Sequence, residues 1–258
     1  MIPIFDSLAH PTLTGKWLNK NIDSSFEGLA RNIKKAGYSG ACAIGLDGIE
    51  NYSHEQFLGR CKQYDFLFPV AGINPNITTP IENEIQKISR LGYKAIKIHP
   101  RYSGLTDCIE QLEELFQKAA TENLVVFYCT YMHCNLKQSP AHDPFYSLVN
   151  LLKKTPNLKV VLVHGGDVNL LRYMELVRFN ENLLLDLSLT IMKYKGSSID
   201  LDIRYLFTSF DRRICIGTDH PEYNHFDVRK RFDFFAQEVS TDKLENIAFF
   251  NLTRFLGV

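Results

Sequence analysis

Three observations predict an α/β fold, a single (β/α)8 TIM barrel with an extra C-terminal helix. Eight short, nearly continuous apolar runs are spread along the 258 residues. Each is followed by a stretch with helical spacing, and alternation of this kind means right-handed crossovers and a parallel sheet. Eight such units fill about 250 residues, the usual size of that barrel. A doubly wound open sheet is the competitor, but no Gly-x-Gly-x-x-Gly opens a helix here.

The first run covers residues 2–5 and the second 40–46, with a helical pattern at 25–37 between them. In that pattern Phe26, Leu29, Ile33 and Ala36 recur near helical spacing, and Gly37 ends it. Residues 53–64 supply the second helix, and 66–73 the third run. The stretch 81–92 places Ile81, Ile85, Ile88 and Leu91 on one face and stops at a Gly. The fourth run, 95–99, precedes 108–123, where Ile109, Leu112, Leu115, Phe116 and Ala119 repeat the pattern. Runs at 125–131, 159–164, 183–189 and 213–218 alternate with helices at 144–154, 168–179, 200–210 and 227–239. A last helix at 242–256, with Thr241 as its N-cap, closes the chain. The runs are β-branched and apolar throughout, as strands covered on both faces must be. No linker, repeat or low-complexity tract divides residues 1–258, so one domain is expected. The longest loops expected after strands are 190–198 and 131–143.

Composition narrows the function. With 45% hydrophobic residues and 18 Phe, the chain is too apolar for a disordered coil. No apolar run reaches the roughly 18–20 residues of a membrane span. The 29 basic and 29 acidic residues cancel, which argues against nucleic acid or an anionic membrane as partner. The first residues lack the basic start, apolar stretch and cleavage site of a signal peptide, so a cytoplasmic location is expected. The six cysteines include no Cys-x-x-Cys pair and are expected as reduced thiols.

In such a barrel only polar residues at or just past the carboxyl ends of strands can meet in one pocket. That filter selects Asp6, His10, Asn74, Lys97, His99, Cys129, Thr130, His164, Asp186, Ser188, Asp219 and His220. Lys97 and His99 are two apart on one strand and point the same way. A buried lysine at a pocket base suits a carboxylate- or phosphate-bearing small molecule, as does Arg101 just beyond, unless Lys97 pairs with Asp186 or Asp6. Loop residues Tyr102, His133, His142, Tyr223, Asn224 and His225 are further candidates for substrate contact, and Trp17 for an exposed stacking platform.

Read in order, the motifs resemble a known family. Phe5-Asp6-x-x-x-His10, Gly-Tyr-Lys-Ala-Ile-Lys97-Ile-His99-Pro, Val-His164-Gly-Gly, Leu-Asp186-Leu-Ser188 and Gly-Thr-Asp219-His-Pro are similar to the amidohydrolase superfamily. The amidohydrolase-2 branch of decarboxylases and lactonases is the nearest, and the C-terminal stretch around Asn251 resembles its terminal helix. Members of the family usually carry His-x-His after strand one and a metal-binding His at the end of strand five; here those positions hold Leu8 and Cys129.

Two chemistries follow. His10, Cys129 and Asp219 would supply the three ligands of one zinc, whose bound water becomes a nucleophile, with His164 steadying charge or moving a proton. Alternatively the resemblance implies metal-free hydrolysis, as in some lactonases of the branch. Asp219 would then be the general base, with His164, His10 or Lys97 polarising the carbonyl. Lys97, His99, Arg101 and His225 would bind the substrate, and Asp186 and Ser188 would orient their neighbours. The expected activity is hydrolysis of a small anionic amide, ester or lactone. The open alternatives are a decarboxylase of the same family and a degenerate barrel that only binds. A homodimer through outer helices is one arrangement the resemblance leaves open.

Overall fold

The computed structural model describes residues 1–18, 20–48, 52–74, 80–102, 104–132 and 140–258. Eight parallel strands form one sheet in sequence order: β1 (Ile4–Ala9), β2 (Tyr38–Ile44), β3 (Leu67–Ile73), β4 (Ala95–Ile98), β5 (Val125–Cys129), β6 (Val160–Val163), β7 (Leu183–Asp186) and β8 (Ile214–Cys215). The sheet closes on itself. Ser7 N donates to Ile216 O at 2.9 Å, Asp219 N to Leu8 O at 2.9 Å and His10 N to His220 O at 2.8 Å. The barrel expected from the sequence is the observed fold.

Period-two alternation divides each strand between two cores. Phe5, Leu8, Cys42, Ile44, Phe68, Val70, Ala95, Val125, Phe127, Val161, Val163, Leu184 and Cys215 fill the barrel interior. Their neighbours Ala41, Ala43, Ala71, Ile96, Ile98, Val126, Tyr128, Val160 and Leu162 face the surrounding helices. Those helices are α1 (Phe26–Lys35), α2 (His54–Cys61), α3 (Ile81–Leu91), α4 (Ile109–Thr121), α5 (Pro144–Lys154), α6 (Leu170–Arg178), α7 (Ile199–Ser209) and α8 (His225–Phe235).

Local chemistry explains several starts and stops. Ser25 accepts from Gly28 N at 3.0 Å, Asp143 from Phe145 N at 2.9 Å and Asn224 from Asp227 N at 2.9 Å, each satisfying a donor that a helix start leaves open. Pro144 sits in the first turn of α5, where its missing N–H costs nothing. The chain ends in consecutive helical segments, Thr241–Glu245, Asn246–Phe250 and Asn251–Leu256, the middle one π-helical. Leu252 enters the inner core from this element, with Phe249, Phe255 and Leu256 packed beside it. The extra helix therefore plugs one end of the barrel.

Three sequence expectations shift. β1 runs to Ala9 rather than stopping near Phe5, so Asp6 lies inside a strand. The long loop expected after strand seven contains a helical turn, Thr190–Lys193. A small antiparallel hairpin, Lys16–Trp17 with Lys20–Asp23, follows β1. Among the described residues no helix is long and apolar enough to cross a membrane.

Candidate active site

The carboxyl ends of the strands surround a cavity of about 240 Å³. Its lining includes His10, Trp17, Lys97, His99, Arg101, Tyr131, His164, Asp219, Glu222 and Tyr223. Residues separated by more than 200 positions thus share one space.

His10 and Asp219 meet where the barrel closes, Nε2 to Oδ1 at 3.5 Å. His10 Nδ1 lies 3.3 Å from the Ile44 carbonyl, which can only accept, so Nδ1 carries a proton. The Trp17 ring stacks on the imidazole with centroids 5.5 Å apart. Burial alone would raise the Asp219 carboxyl, but the His10 contact and the neighbouring His164 and Lys97 outweigh it. The net shift is downward, and Asp219 is ionised at neutral pH.

His164 is set by a different network. Asp186, completely buried, accepts from the Ser7 hydroxyl, the Ser188 hydroxyl, Ser188 N at 3.1 Å and His164 N at 3.1 Å. The Ser188 proton is spent on that carboxylate, so His164 Nδ1 donates to Ser188 O at 3.2 Å and Ser188 Oγ at 3.1 Å. Nε2 is left with its lone pair. Burial is the main cause of a His164 pKa lowered to about 4, so the ring is neutral at physiological pH. His164 and Asp219 both have left-handed backbone, φ +69° and +54°, conformations that non-glycine residues adopt only when their surroundings enforce them. Gly217 lets these strands approach, since a Cβ there would lie 2.9 Å from Ser188 Cβ and 3.0 Å from Leu8 N.

Lys97 is 2% exposed, and among the described residues its Nζ has no hydrogen-bond partner. The expected alternative of pairing with Asp186 or Asp6 is not seen. Burial lowers its pKa, with Cys129, Asp219 and Asp186 opposing. His99 Nδ1 accepts from Tyr102 N at 3.4 Å, which leaves the ring proton on Nε2. Burial, then the charges of Lys97 and Arg101, hold its pKa well below the ordinary histidine value. Arg101 stacks against Tyr102 and Tyr131, 4.7 and 5.2 Å from their centroids.

Other expected residues lie elsewhere. His225 is fully buried as the first residue of α8, with Nε2 3.1 Å from Asp6 Oδ2 in an ion-pair contact that lacks hydrogen-bond alignment. It does not line the cavity, which corrects its expected role in substrate contact; a helix start turned it inward. Asp6 is a strut, accepting from Thr218 N at 2.8 Å, Thr218 Oγ1 at 2.6 Å and Leu8 N at 3.0 Å. Trp17 is 6% exposed, so it is no open platform. Cys129 lines a neighbouring cavity with His142, Thr130 and Arg172, and burial raises its thiol pKa. His133 lies outside the described residues.

The metal expected on His10, Cys129 and Asp219 finds no three-donor set. Among the described residues, the trio of His, Cys, Asp or Glu donors within 4.8 Å of one another is Asp47, His54 and Glu84. His10 and Asp219 offer two donors where a catalytic zinc needs about three. The Lys97 ammonium, acting on the same carboxylate, also opposes a second cation. The sequence could not reveal this, because Cys129 and Asp219 are both potential ligands and only the fold separates them. Glu222 and Tyr131 were missed as lining residues, since nothing in their spacing marks them, whereas Tyr223 and Tyr102, expected as candidates for substrate contact, do line the cavity. Asp47, His54 and Glu84 come from three separate segments and carry no motif either.

A (β/α)8 barrel with an ionised carboxylate, neutral imidazoles and a buried ammonium around one mouth is the frame of an acid–base enzyme. Residues 20–244 match the family described as amidohydrolase, and the chain belongs to that family. No curated protein matches its sequence. Among solved structures, an uncharacterised TIM-barrel protein from Bordetella bronchiseptica superposes with TM-score 0.79 at 18% identity, covering 99% of each chain. The 5-carboxyvanillate decarboxylase of Sphingomonas paucimobilis gives 0.75 at 10% identity, covering 100% of each. A Pseudomonas putida protein described as a 2-pyrone-4,6-dicarboxylic acid hydrolase gives 0.70 at 14% identity, covering 100% of this chain and 98% of that one. At these identities the likeness is one of fold.

Proposed function

We propose that the protein hydrolyses a small, anionic carboxylic ester, lactone or amide without a metal at the catalytic cavity. The observation that carries this reading is the meeting, in one cavity, of an ionised Asp219 with a Lys97 ammonium that has no hydrogen-bond partner among the described residues. An uncompensated buried cation is costly, and an anionic substrate would relieve that cost. Lys97 and Arg101 hold the substrate's carboxylate. Asp219, steadied by His10, takes a proton from a water as that water attacks the carbonyl carbon, and returns it to the leaving oxygen or nitrogen as the acyl C–O or C–N bond breaks. His99, neutral with its proton on Nε2, donates to the developing oxyanion. His164 offers a lone pair to orient the water.

Asp219→Asn keeps size and removes the base. On a panel of carboxylate-bearing lactones, esters and amides, turnover is expected to fall by about 100-fold or more, with binding retained. Turnover surviving that change would remove Asp219 as the base. Decarboxylation is the second reading, favoured by the fold shared with 5-carboxyvanillate decarboxylase. Carbon dioxide released from an aromatic acid, with no lactone or ester opened, would select it. Silence on both panels would leave a binding barrel.

A further inference from the structure

Outside the catalytic cavity, Asp47, His54 and Glu84 converge from the turn after β2, the first residue of α2 and the first turn of α3. One donor atom from each lies within 4.8 Å of the others. His54 is 3% exposed, with Nε2 2.6 Å from Glu84 Oε1. Asp47 is half-buried and accepts from Asn74 N at 3.3 Å.

Hydroxyls hold His54 in place. Tyr93 donates its hydroxyl proton to His54 O at 2.8 Å. The Tyr52 hydroxyl oxygen lies 2.9 Å from His54 Nδ1 and accepts from Gly72 N at 3.2 Å. At 2.6 Å a proton lies between His54 Nε2 and Glu84 Oε1. Among the described residues no lysine or arginine is ion-paired with Asp47 or Glu84. A divalent cation would take the place of that proton, bringing the Nε2 lone pair and an oxygen of each carboxylate onto one ion.

We propose that Asp47, His54 and Glu84 bind one divalent transition-metal ion of the zinc type. An imidazole favours such a metal over magnesium or calcium, and carboxylates are ordinary zinc ligands. The Tyr52 contact to Nδ1 is the outer support that metal-bound histidines usually have. Asp47 also lines a cavity of about 90 Å³ with Gly48, Asn74, Lys97 and His99, which leaves room for a fourth ligand such as water. Lys97, His99 and Leu46 line both this cavity and the catalytic one, so the ion would stiffen a wall of the substrate pocket.

The test is zinc titration of chelator-treated full-length protein, read by calorimetry, metal analysis and thermal melting. One equivalent of zinc and a raised melting temperature are expected. Asp47→Asn and Glu84→Gln should each weaken binding by at least about tenfold, and Tyr52→Phe by about 10–100-fold. Asp47→Asn keeps the His54–Glu84 pair, so it reports on the site even where the Glu84 variant fails to fold. Asp219→Asn should leave zinc affinity unchanged. No stoichiometric zinc, equal affinity in Asp47→Asn, or loss of zinc on Asp219→Asn would overturn the site, the last by moving the ion to the catalytic cavity. Because metal binding is read without turnover, failure here leaves the hydrolase reading untouched.

Discussion

At His164 a single side chain links acid stability to chemistry. Its neutral form is what the Ser188 and Asp186 network holds, and burial lowers its pKa to about 4 from an ordinary 6.5. The unfolded chain therefore binds a proton that the native chain refuses between those two values. The sign follows: this contribution to stability is complete above pH ~6.5 and is lost as pH falls toward ~4. The span is worth about 3 kcal/mol. Urea unfolding across this range should show stability falling with acid, and His164→Asn should flatten the slope. An equal slope in that variant would mean that the ring is not buried neutral. The chemical consequence runs the same way, since acid would also remove the lone pair that His164 offers the cavity.

At the scale of elements, the hairpin after β1 is tied across the mouth. Trp17 Nε1 and Lys20 Nζ both donate to Glu222 Oε1 at 2.7 Å, joining the first and last units of the barrel. Trp17 then packs on His10, which sets the strap against the His10–Asp219 pair. This element was illegible in the sequence. Residues 20–23 are all exposed and have no apolar alternation to announce a strand, and Trp17 read as an open platform because its cover comes from 205 residues away. Trp17 is the chain's sole tryptophan, so its fluorescence reports on the strap alone. Glu222→Ala should shift its emission to longer wavelength and open it to a soluble quencher. Emission and quenching identical to the parent protein would show that Glu222 does not hold the hairpin.

For the whole molecule, what was legible follows from what repeats. Strand and helix positions obey periodicities of two and 3.6 and a common size, so the barrel and the inward residues Lys97, His99, His164 and Asp219 could be placed from spacing. Contacts between distant segments have no period. The swing of His225 into the core and the distance of Cys129 from the His10 pair are decided by packing, which spacing does not encode. The same division separates the two ends of the barrel. The polar cavity lies at the carboxyl ends, while the other end is sealed by Leu252, 1% exposed, with Phe249 set edge-on to Phe5 at 6.2 Å. Leu252→Ala would leave a cavity among inner-core residues that cannot collapse without moving strands, at a cost of about 2–5 kcal/mol. For a chain of this size the melting temperature should fall by about 5–15 °C. Leu201→Ala, at a residue 70% exposed, should leave it within about a degree or two. Turnover and ligand affinity of the Leu252 variant, measured well below its melting point, should match the parent protein, because the plug and the cavity lie at opposite ends. A variant that melts normally would remove the plug from the core, and one that loses affinity while folded would show the two ends to be coupled.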